Sequence, residues 1–143
     1  MYASGDNNVN HYIRGYVMEP IFGAGNFRNE IVWCYGGGGR GVKDFPQRHD
    51  NIYRYSKGSD VIFNPNDVLI PYNEKTKLVS NYTRKGCTKP WTANPDGKVP
   101  EDWWIIPIIH PSGKERIGYP TQKPEALLER IIRASSNEGE QGK

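Results

Sequence analysis

Apolar residues recur with helical spacing close to the start of the chain. Five of them share the i, i+3, i+4, i+7 spacing of one buried helix face: Val9, Tyr12, Ile13, Tyr16 and Val17. Asn8 or Asn10 can cap this helix, because a short polar side chain accepts a hydrogen bond from the first helical turn. Pro20 lacks an N–H group, so we expect the helix to end or kink near Met18–Pro20.

Four later stretches have the patterns of strands. Glu30–Tyr35, EIVWCY, is short, apolar and partly β-branched. Asn51–Lys57, NIYRYSK, mixes apolar and polar residues as a half-exposed strand does. Residues 60–67, DVIFNPND, predict a short strand that closes at an Asn-Pro turn. Asp102–Ile109, DWWIIPII, predicts a strand in two pieces divided by Pro107, which places it at an edge or a bend.

The last periodic segment predicts a helix from about Pro124 to Ser135. Its expected buried face consists of four apolar residues: Leu127, Leu128, Ile131 and Ile132. Pro124 suits the first helical position, with Thr121 or Lys123 near the cap. Glu129 and Arg133 are spaced for a favourable i,i+4 ion pair.

Periodicity fails between the strands and this helix, from Val68 to Pro100. The segment is rich in Asn, Pro, Lys, Thr and Gly, with scattered aromatic residues. We interpret it as a loop-dominated insert with room for one hairpin. The order of elements predicts an α/β fold with a short sheet, two main helices and this loop-rich insert.

Composition adds a bias towards loops and a mild positive charge. The apolar fraction is 36%, and the 143 residues include 16 glycines and 11 prolines. The net charge of +3 is compatible with a nucleic-acid partner without being diagnostic. Cys34 and Cys87 lack metal-ligand spacing, so no metal site is predicted; free thiols are expected, with a single disulfide between them left open. Without a membrane-spanning run or a signal-peptide pattern, a cytoplasmic protein is expected.

Two glycine-rich stretches invite nucleotide-binding interpretations. Gly36–Gly41, GGGGRG, follows a predicted strand, but no helical pattern comes after it, so a flexible loop is favoured over a phosphate cradle. Phe22–Asn26, FGAGN, resembles a methyl-donor loop only in part and follows a helix. We therefore interpret this second stretch as a helix C-cap.

Basic residues concentrate in two stretches, Arg40–Lys57 and Glu74–Trp91. The second also contains or borders three aromatic residues, Tyr72, Tyr82 and Trp91. Cationic groups suit phosphates and rings suit bases, although charge alone favours an ordinary solvated loop. The candidate DNA-binding residues in the two stretches are Arg40, Lys43, Arg48, Arg84, Lys85 and Lys89.

No complete catalytic constellation is evident. His49 and Asp50 are adjacent, and neighbours on a strand point to opposite faces, which argues against a direct hydrogen bond between them. Trp103 and Trp104 are better explained as the rim and core of a strand than as a binding box. We therefore predict no catalytic residue in this chain.

The tail from Lys114 to Gly139, KERIGYPTQKPEALLERIIRASSNEG, closely resembles the segment before the cofactor loop of DNA amino-methyltransferases. These enzymes methylate adenine N6 or cytosine N4. The stretches GNFRNEIVWCYGGGG, QRHDNIYRYSKGSDVIFNP and DWWIIPIIHPSGKER resemble the same family in the right order. The matching order is the one in which the catalytic motif precedes target recognition and the cofactor motif. The resemblance implies a partial Rossmann-like methyltransferase fold.

The resemblance also implies a cofactor, S-adenosylmethionine, and residues that line its edge. When the family's cofactor-edge residues are matched to this sequence, they fall in the turn before the closing helix: Tyr119, Thr121, Gln122, Lys123 and Pro124. Lys123 would offer charge to the donor's carboxylate, and Thr121 and Gln122 would offer hydrogen bonds. The helix N-terminus would add a partial positive charge.

Two departures from the family pattern decide how the chain is interpreted. The family's Asp/Asn/Ser-Pro-Pro-aromatic catalytic motif has no counterpart, because no Pro-Pro occurs in the sequence. The glycine loop that holds the methyl donor is also missing after residue 139. We therefore expect the middle portion of a bacterial or phage restriction-modification methyltransferase, inactive by itself and acting on double-stranded DNA.

Three regions follow from this interpretation. Residues 1–67 would form part of the methyltransferase core, residues 68–100 a target-recognition insert, and residues 101–143 a strand and the cofactor-edge helix. Two alternatives remain open: a standalone nucleic-acid-binding module, and a remnant that survives as a homodimer through an unpaired sheet edge. A second polypeptide completing the active site is a further possibility.

Overall fold

The computed structural model describes residues 1–5, 9–37, 39, 41–78, 86, 88–89 and 91–139. Within them the chain forms a four-stranded mixed sheet, in the order β1-β3-β2-β4. The strands are β1 (Tyr2–Gly5), β2 (Phe27–Cys34), β3 (His49–Tyr55) and β4 (Trp103–Ile105). β3 runs antiparallel to both of its neighbours, and β2 and β4 are parallel. The predicted α/β class is confirmed at this level.

The two central strands are confirmed, with shifted bounds. β2 begins at Phe27, earlier than predicted, because Phe27 pairs with Tyr55 across the hairpin. β3 begins at His49, which pairs with Cys34. Trp103 is 55% exposed and Trp104 only 7%, so the rim-and-core interpretation of the tryptophan pair is correct.

Two predicted strand pieces do not form. Residues 60–64 belong to no strand, and the Asn-Pro turn instead opens a 3-10 helix, Pro65–Val68. Asn64 donates its backbone N–H to the carbonyl of Ala134 at 2.9 Å and its side-chain amide to the carbonyl of Ser136 at 2.8 Å. Asn64 therefore uses its polar groups at the end of the last helix and not in the sheet. The piece after Pro107 is also outside the sheet.

The N-terminal helix spans residues 10–22 in three parts. These are α1 (Asn10–Tyr12), a π-helical segment (Ile13–Met18) and α2 (Glu19–Phe22). The helix does not end near Pro20 but continues to Phe22, and its π-helical segment gives way to α2 between Met18 and Glu19, within the range predicted for an end or a kink. Gly23, with φ of 81°, ends the helix, so the C-cap prediction is confirmed.

Most of the predicted buried face of this helix is wrong, although Ile13 packs against the core beside Met18. Tyr12, Tyr16 and Val17 are 54%, 76% and 47% exposed, whereas Met18 is 2% exposed and packs beside Tyr53 and Tyr55. The π-helical segment has more residues per turn than an α-helix, so the 3.6-residue pattern loses its phase. Of the two predicted caps, Asn8 lies outside the described residues. The side chain of Asn10 accepts a hydrogen bond from Gly5 N instead, at 3.1 Å.

The closing helix, α4, extends from Glu125 to Ser135. Leu127, 1% exposed, packs into the core formed by Ile31, Trp33, Ile52, Trp104 and Ile106. Half of the predicted apolar face is wrong, because Leu128 and Ile132 are 45% and 59% exposed. The Glu129–Arg133 ion pair is confirmed at 2.7 Å.

The insert leaves the core and returns to it at one place. Ile70 and Lys98 form an isolated antiparallel bridge, with N···O distances of 2.8 and 2.9 Å. Between them lie a short helix, α3 (Glu74–Leu78), and an edge-to-face contact between Tyr72 and Trp91 with ring centroids 6.0 Å apart. Within the described residues no hairpin forms there. None of the helices in the described ranges is long and apolar enough to cross a membrane.

Candidate functional site

The turn before α4 is held by one side-chain amide. Gln122 Oε1 accepts a hydrogen bond from Ile117 N at 3.0 Å, and Gln122 Nε2 donates to the carbonyl of Glu115 at 2.8 Å. Gly118 has a φ of 84°, a backbone conformation that favours glycine. Gln122 therefore orders the turn through its side-chain amide.

The first turn of α4 already has an acidic partner. The Glu115 carboxylate accepts a hydrogen bond from the backbone N–H of Glu125, and Glu125 itself adds a second acid to the first turn. Pro124 is the buried N-cap rather than the first helical residue. These two acids lie beside the helix N-terminus and offset part of the positive charge expected there.

The ammonium group of Lys123 binds Asp50. Its Nζ lies 3.0 Å from Asp50 Oδ2 and 4.8 Å from the ring centre of Trp33. The other carboxylate oxygen of Asp50 accepts a hydrogen bond from the Tyr35 hydroxyl at 3.4 Å. Burial, together with the charge of Asp50, raises the pKa of Tyr35 above its ordinary value. At this end of the β2–β3 hairpin, the carboxylate of Asp50 therefore contacts both the ammonium group of Lys123 and the phenol of Tyr35.

Four of the five residues expected at a cofactor edge line one open depression. Tyr119, Thr121, Gln122 and Lys123 surround it together with apolar groups of Ile117 and Leu128. Tyr119 is 66% exposed and Thr121 is exposed, so both residues are open to solvent. The turn thus gathers the candidate residues on one surface, with Pro124 buried at its base.

Sequence reasoning missed the partners that position this turn. Asp50 was considered only beside His49, and Glu115 and Trp33 were given no role. Trp33 and Asp50 are opposite each other in the β2–β3 register, and Lys123 reaches both from the start of α4. No local pattern marks this contact, since Asp50 and Lys123 are 73 positions apart.

Three of the six candidate DNA-binding residues lie within the described residues. Lys43 and Lys89 are exposed, and within the described residues neither forms an ion pair. Arg48 is half-buried, and its guanidinium lies against the loop, where a Cβ at Gly39 would meet its Nη2 at 2.5 Å. The other three candidates, Arg40, Arg84 and Lys85, lie outside the described residues.

The glycine-rich loop joins two antiparallel strands. Gly36, Gly37 and Gly39 have positive φ values of 61°, 120° and 110°, so these positions favour glycine for the path of the chain. The loop continues into β3 and not into a helix. It therefore lacks the helix N-terminus that a phosphate cradle of the P-loop or dinucleotide type requires.

A separate cavity of about 370 Å³ lies at the opposite end of the sheet, near the start of β2 and the end of α4. Two arginines line it, each over an aromatic ring: Arg54 lies 5.0 Å from the ring centre of Phe63, and Arg130 lies 5.1 Å from that of Trp104. Arg54 also donates to the carbonyl of Ile62 at 2.9 Å. Both arginines therefore make packing contacts between the sheet and the segments that cover it. In the part of the chain that the structure describes, no group of three potential metal ligands occurs.

The family model and the relatives that match this chain are all described as methylases or methyltransferases. A family model described as DNA methylase, for the N6/N4 methyltransferases, matches residues 1–141. The chain is 34% identical over 115 residues to the type II methyltransferase M.HpaI of Haemophilus parainfluenzae, covering 80% of this chain and 32% of that protein. It is 35% identical over 120 residues to M1.MboII of Moraxella bovis, covering 78% and 46% respectively.

A third relative is the DNA adenine methyltransferase YhdJ of Escherichia coli K12, 32% identical over 115 residues. That match covers 79% of this chain and 38% of the relative. The chain therefore spans between about a third and a half of the length of these curated relatives.

Proposed function

The chain belongs to the N6/N4 DNA methylase family, and we propose that it supplies one edge of the S-adenosylmethionine pocket and the target-recognition region of a DNA methyltransferase. The intact enzyme would transfer a methyl group to adenine N6 or cytosine N4 in duplex DNA, after flipping the base out of the helix. The observation that carries the proposal is the ordered turn at Gly118–Pro124, whose Lys123 is paired with Asp50 at 3.0 Å.

The charges at this turn match the amino-acid end of the donor. S-Adenosylmethionine carries an α-carboxylate and an α-ammonium group, and its sulfonium supplies the methyl group when it is bound. Lys123 would attract the carboxylate and Asp50 the ammonium group, with each residue already held in place by the other. Thr121 and Tyr119, which are exposed and carry hydroxyl groups, line the same depression as Lys123. We assign Gln122 and Pro124 to ordering the turn.

The arrangement of elements supports a Rossmann-like core. β4 is parallel to β2, and α4 packs through Leu127 onto the residues of both strands. In open α/β sheets, ligands bind beyond the carboxyl ends of the parallel strands. Residue 34 ends β2 on the side where Asp50 and Lys123 meet, as this rule requires.

We assign the insert, residues 68–100, to target recognition, between the partial core of residues 1–67 and the cofactor-edge region of residues 101–143. The antiparallel bridge between Ile70 and Lys98 supports this division, because a segment closed at its base can vary without disturbing the sheet. Lys43 and Lys89 are exposed and would contact DNA phosphates, as would the other candidate basic residues.

The inactivity of this chain by itself stays a prediction. The sequence contains no Pro-Pro-aromatic motif to hold the target amino group, and methyl transfer depends on positioning both reactants. Incubation with labelled S-adenosylmethionine and mixed-sequence duplex DNA should give no transfer above a blank without protein. Transfer by a preparation free of host methylases would contradict this expectation.

Titration with S-adenosylmethionine, followed by amide shifts in NMR spectra, tests the cofactor edge. We expect weak binding with shifts at Tyr119–Glu125 and at Asp50, reduced by Lys123→Ala. Lys114→Ala is the matched control, because Lys114 is exposed and does not line the depression. Unchanged shifts in Lys123→Ala, or shifts confined to Gly36–Gly41, would refute the assignment. DNA binding without any response to the cofactor would favour a standalone nucleic-acid-binding module.

A further inference from the structure

Trp33 contacts both ends of the segment that carries the candidate cofactor edge. The segment runs from Ile106, just after β4, to Lys123, shortly before α4. At its start, the indole N–H of Trp33 donates to the carbonyl of Ile106 at 2.7 Å. At its end, the ammonium group of Lys123 lies over the indole ring, 4.8 Å from its centre. One side chain of an inner strand of the sheet therefore holds this segment at two places.

The indole ring of Trp33 has a fixed position. Trp33 is 2% exposed and belongs to the core that Leu127 of α4 joins. The backbone N–H of Ile106 donates to the carbonyl of Cys34 at 3.1 Å, so Ile106 is bound to β2 through both its N–H and its carbonyl. Because a buried indole N–H without an acceptor is costly, the hydrogen bond to Ile106 fixes the plane of the ring. The ring cannot turn away from Lys123 without losing that bond.

The ring also supports the carboxylate that pairs with Lys123. Trp33 and Asp50 are opposite each other in the β2–β3 register. Tyr35 contacts both of them, because its ring packs edge-on against the indole with centroids 5.1 Å apart and its hydroxyl lies 3.4 Å from Asp50 Oδ1. Trp33 therefore supports the ion pair at both of its members, directly at Lys123 and through Tyr35 at Asp50.

The ammonium group of Lys123 keeps one side open to a ligand. An ammonium group has three N–H donors. Asp50 accepts one of them at 3.0 Å, and the indole ring covers a second side. The side chain is still 33% exposed. A carboxylate can therefore bind Lys123 from solvent while attraction to the ring keeps the ammonium group in place.

We propose that Trp33 is a positioning residue, which holds the ammonium group of Lys123 where the α-carboxylate of S-adenosylmethionine binds. The inference rests on the proposed cofactor edge and deepens it, because it makes recognition of the carboxylate depend on a core residue of β2. Trp33 is almost fully buried and does not line the depression at the turn, so it acts through Lys123 and not by touching the donor.

Two donors that differ only in the carboxylate test this inference: S-adenosylmethionine and its decarboxylated form. Their dissociation constants are measured by NMR titration with the unaltered chain, Trp33→Leu and Trp33→Phe. Loss of the cation–π contact in Trp33→Leu should weaken binding of S-adenosylmethionine about fivefold and leave binding of the decarboxylated donor unchanged. Trp33→Phe keeps an aromatic face, so its affinity for S-adenosylmethionine should lie between the two. The upfield ring-current shift of the Lys123 side-chain protons should follow the same order.

Trp104→Leu is the matched control. Trp104 is 7% exposed, its N–H donates to the carbonyl of Glu101 at 2.8 Å, and its ring lies 5.1 Å from the guanidinium of Arg130. It has the same kinds of contact as Trp33 but none with Lys123, so this variant should bind both donors as the unaltered chain does. A cooperative urea transition identifies the variants that fold, and if Trp33→Leu does not fold, Trp33→Phe decides the test with a smaller loss of the same kind.

Three outcomes would overturn the inference alone: equal affinity of the unaltered chain for the two donors, equal weakening of both donors by the Trp33 variants, or a carboxylate-specific loss in Trp104→Leu. Equal weakening is the result of general damage to the core, which does not distinguish the two donors. Failure of the unaltered chain to bind either donor would instead refute the proposed cofactor edge itself.

Discussion

The contact between Lys123 and Asp50 predicts a measurable coupling between β3 and the turn before α4. We consider two substitutions that keep side-chain size and remove one charge each, Asp50→Asn and Lys123→Met. Asp50→Asn leaves the ammonium group with the ring of Trp33 at 4.8 Å and no carboxylate partner. Lys123→Met leaves the carboxylate with the Tyr35 hydroxyl at 3.4 Å. Each single variant should therefore be less stable than the unaltered chain.

The magnitude follows from distance and exposure. At an N···O separation of 3.0 Å and an effective dielectric constant of about 20, the Coulomb attraction is about 5.5 kcal/mol before desolvation is counted. The two side chains are 33% and 15% exposed, so water still screens them. Fully exposed pairs contribute about 0.2–1 kcal/mol, and removing one partner of a buried pair costs about 3–5 kcal/mol. For this intermediate case we expect a coupling free energy of about 1–2 kcal/mol.

A double-mutant cycle measures this coupling. Free energies of unfolding from urea denaturation are compared for the unaltered chain, both single variants and the double variant. Glu129→Gln with Arg133→Met gives a matched control cycle, because that pair on α4 is 53% and 61% exposed and should couple by no more than about 0.5 kcal/mol. Additive single-variant costs for Lys123 and Asp50, within about 0.3 kcal/mol, would refute the reasoning.

Three further predictions concern the core, the turn and pH. Leu127→Ala should lower the free energy of unfolding by about 2–5 kcal/mol, because Leu127 is 1% exposed in the core; a loss below about 1 kcal/mol in urea denaturation would contradict that packing. Gln122→Ala should speed hydrogen exchange at Ile117 N, whose acceptor it removes; an unchanged exchange rate would show that the turn does not depend on this amide. Burial and the charge of Asp50 raise the pKa of Tyr35 in the folded state, so its stabilising contribution is complete below the unfolded pKa of about 10 and is lost as pH rises through the folded pKa. Denaturation of Tyr35→Phe between pH 8 and 11 should show a shallower loss of stability than the unaltered chain, and equal slopes would contradict the assignment.

Local patterns were sufficient for the elements whose signals lie within a few residues. EIVWCY and NIYRYSK predicted the two central strands because short runs rich in apolar, β-branched and aromatic residues mark strands locally. Phe22–Asn26 was interpreted as a helix C-cap because glycine tolerates the positive φ common where a helix ends, and Gly23 ends the helix with a φ of 81°. The i,i+4 spacing of Glu129 and Arg133 predicted their ion pair for the same reason.

The bounds and faces of elements depended on contacts that the sequence does not display. The π-helical segment Ile13–Met18 changed the phase of the N-terminal helix, so Tyr16 became exposed and Met18 buried. Residues 60–64 have a strand pattern, yet Asn64 satisfies the last carbonyl groups of α4. In both cases tertiary packing outweighed a weak local preference.

The candidate site also has one part that the sequence predicted and another that only the tertiary structure decided. The turn TQKP and its helix were evident from the sequence, since proline and the apolar spacing mark a helix start locally. Only the tertiary structure brought Asp50 to Lys123 and turned the amide of Gln122 back onto the chain. An ion pair between residues 73 positions apart depends on the hairpin register and on how α4 packs against it. Such long-range geometry leaves no periodic trace in the sequence, because it is decided by the packing of complete elements and not by neighbours along the chain.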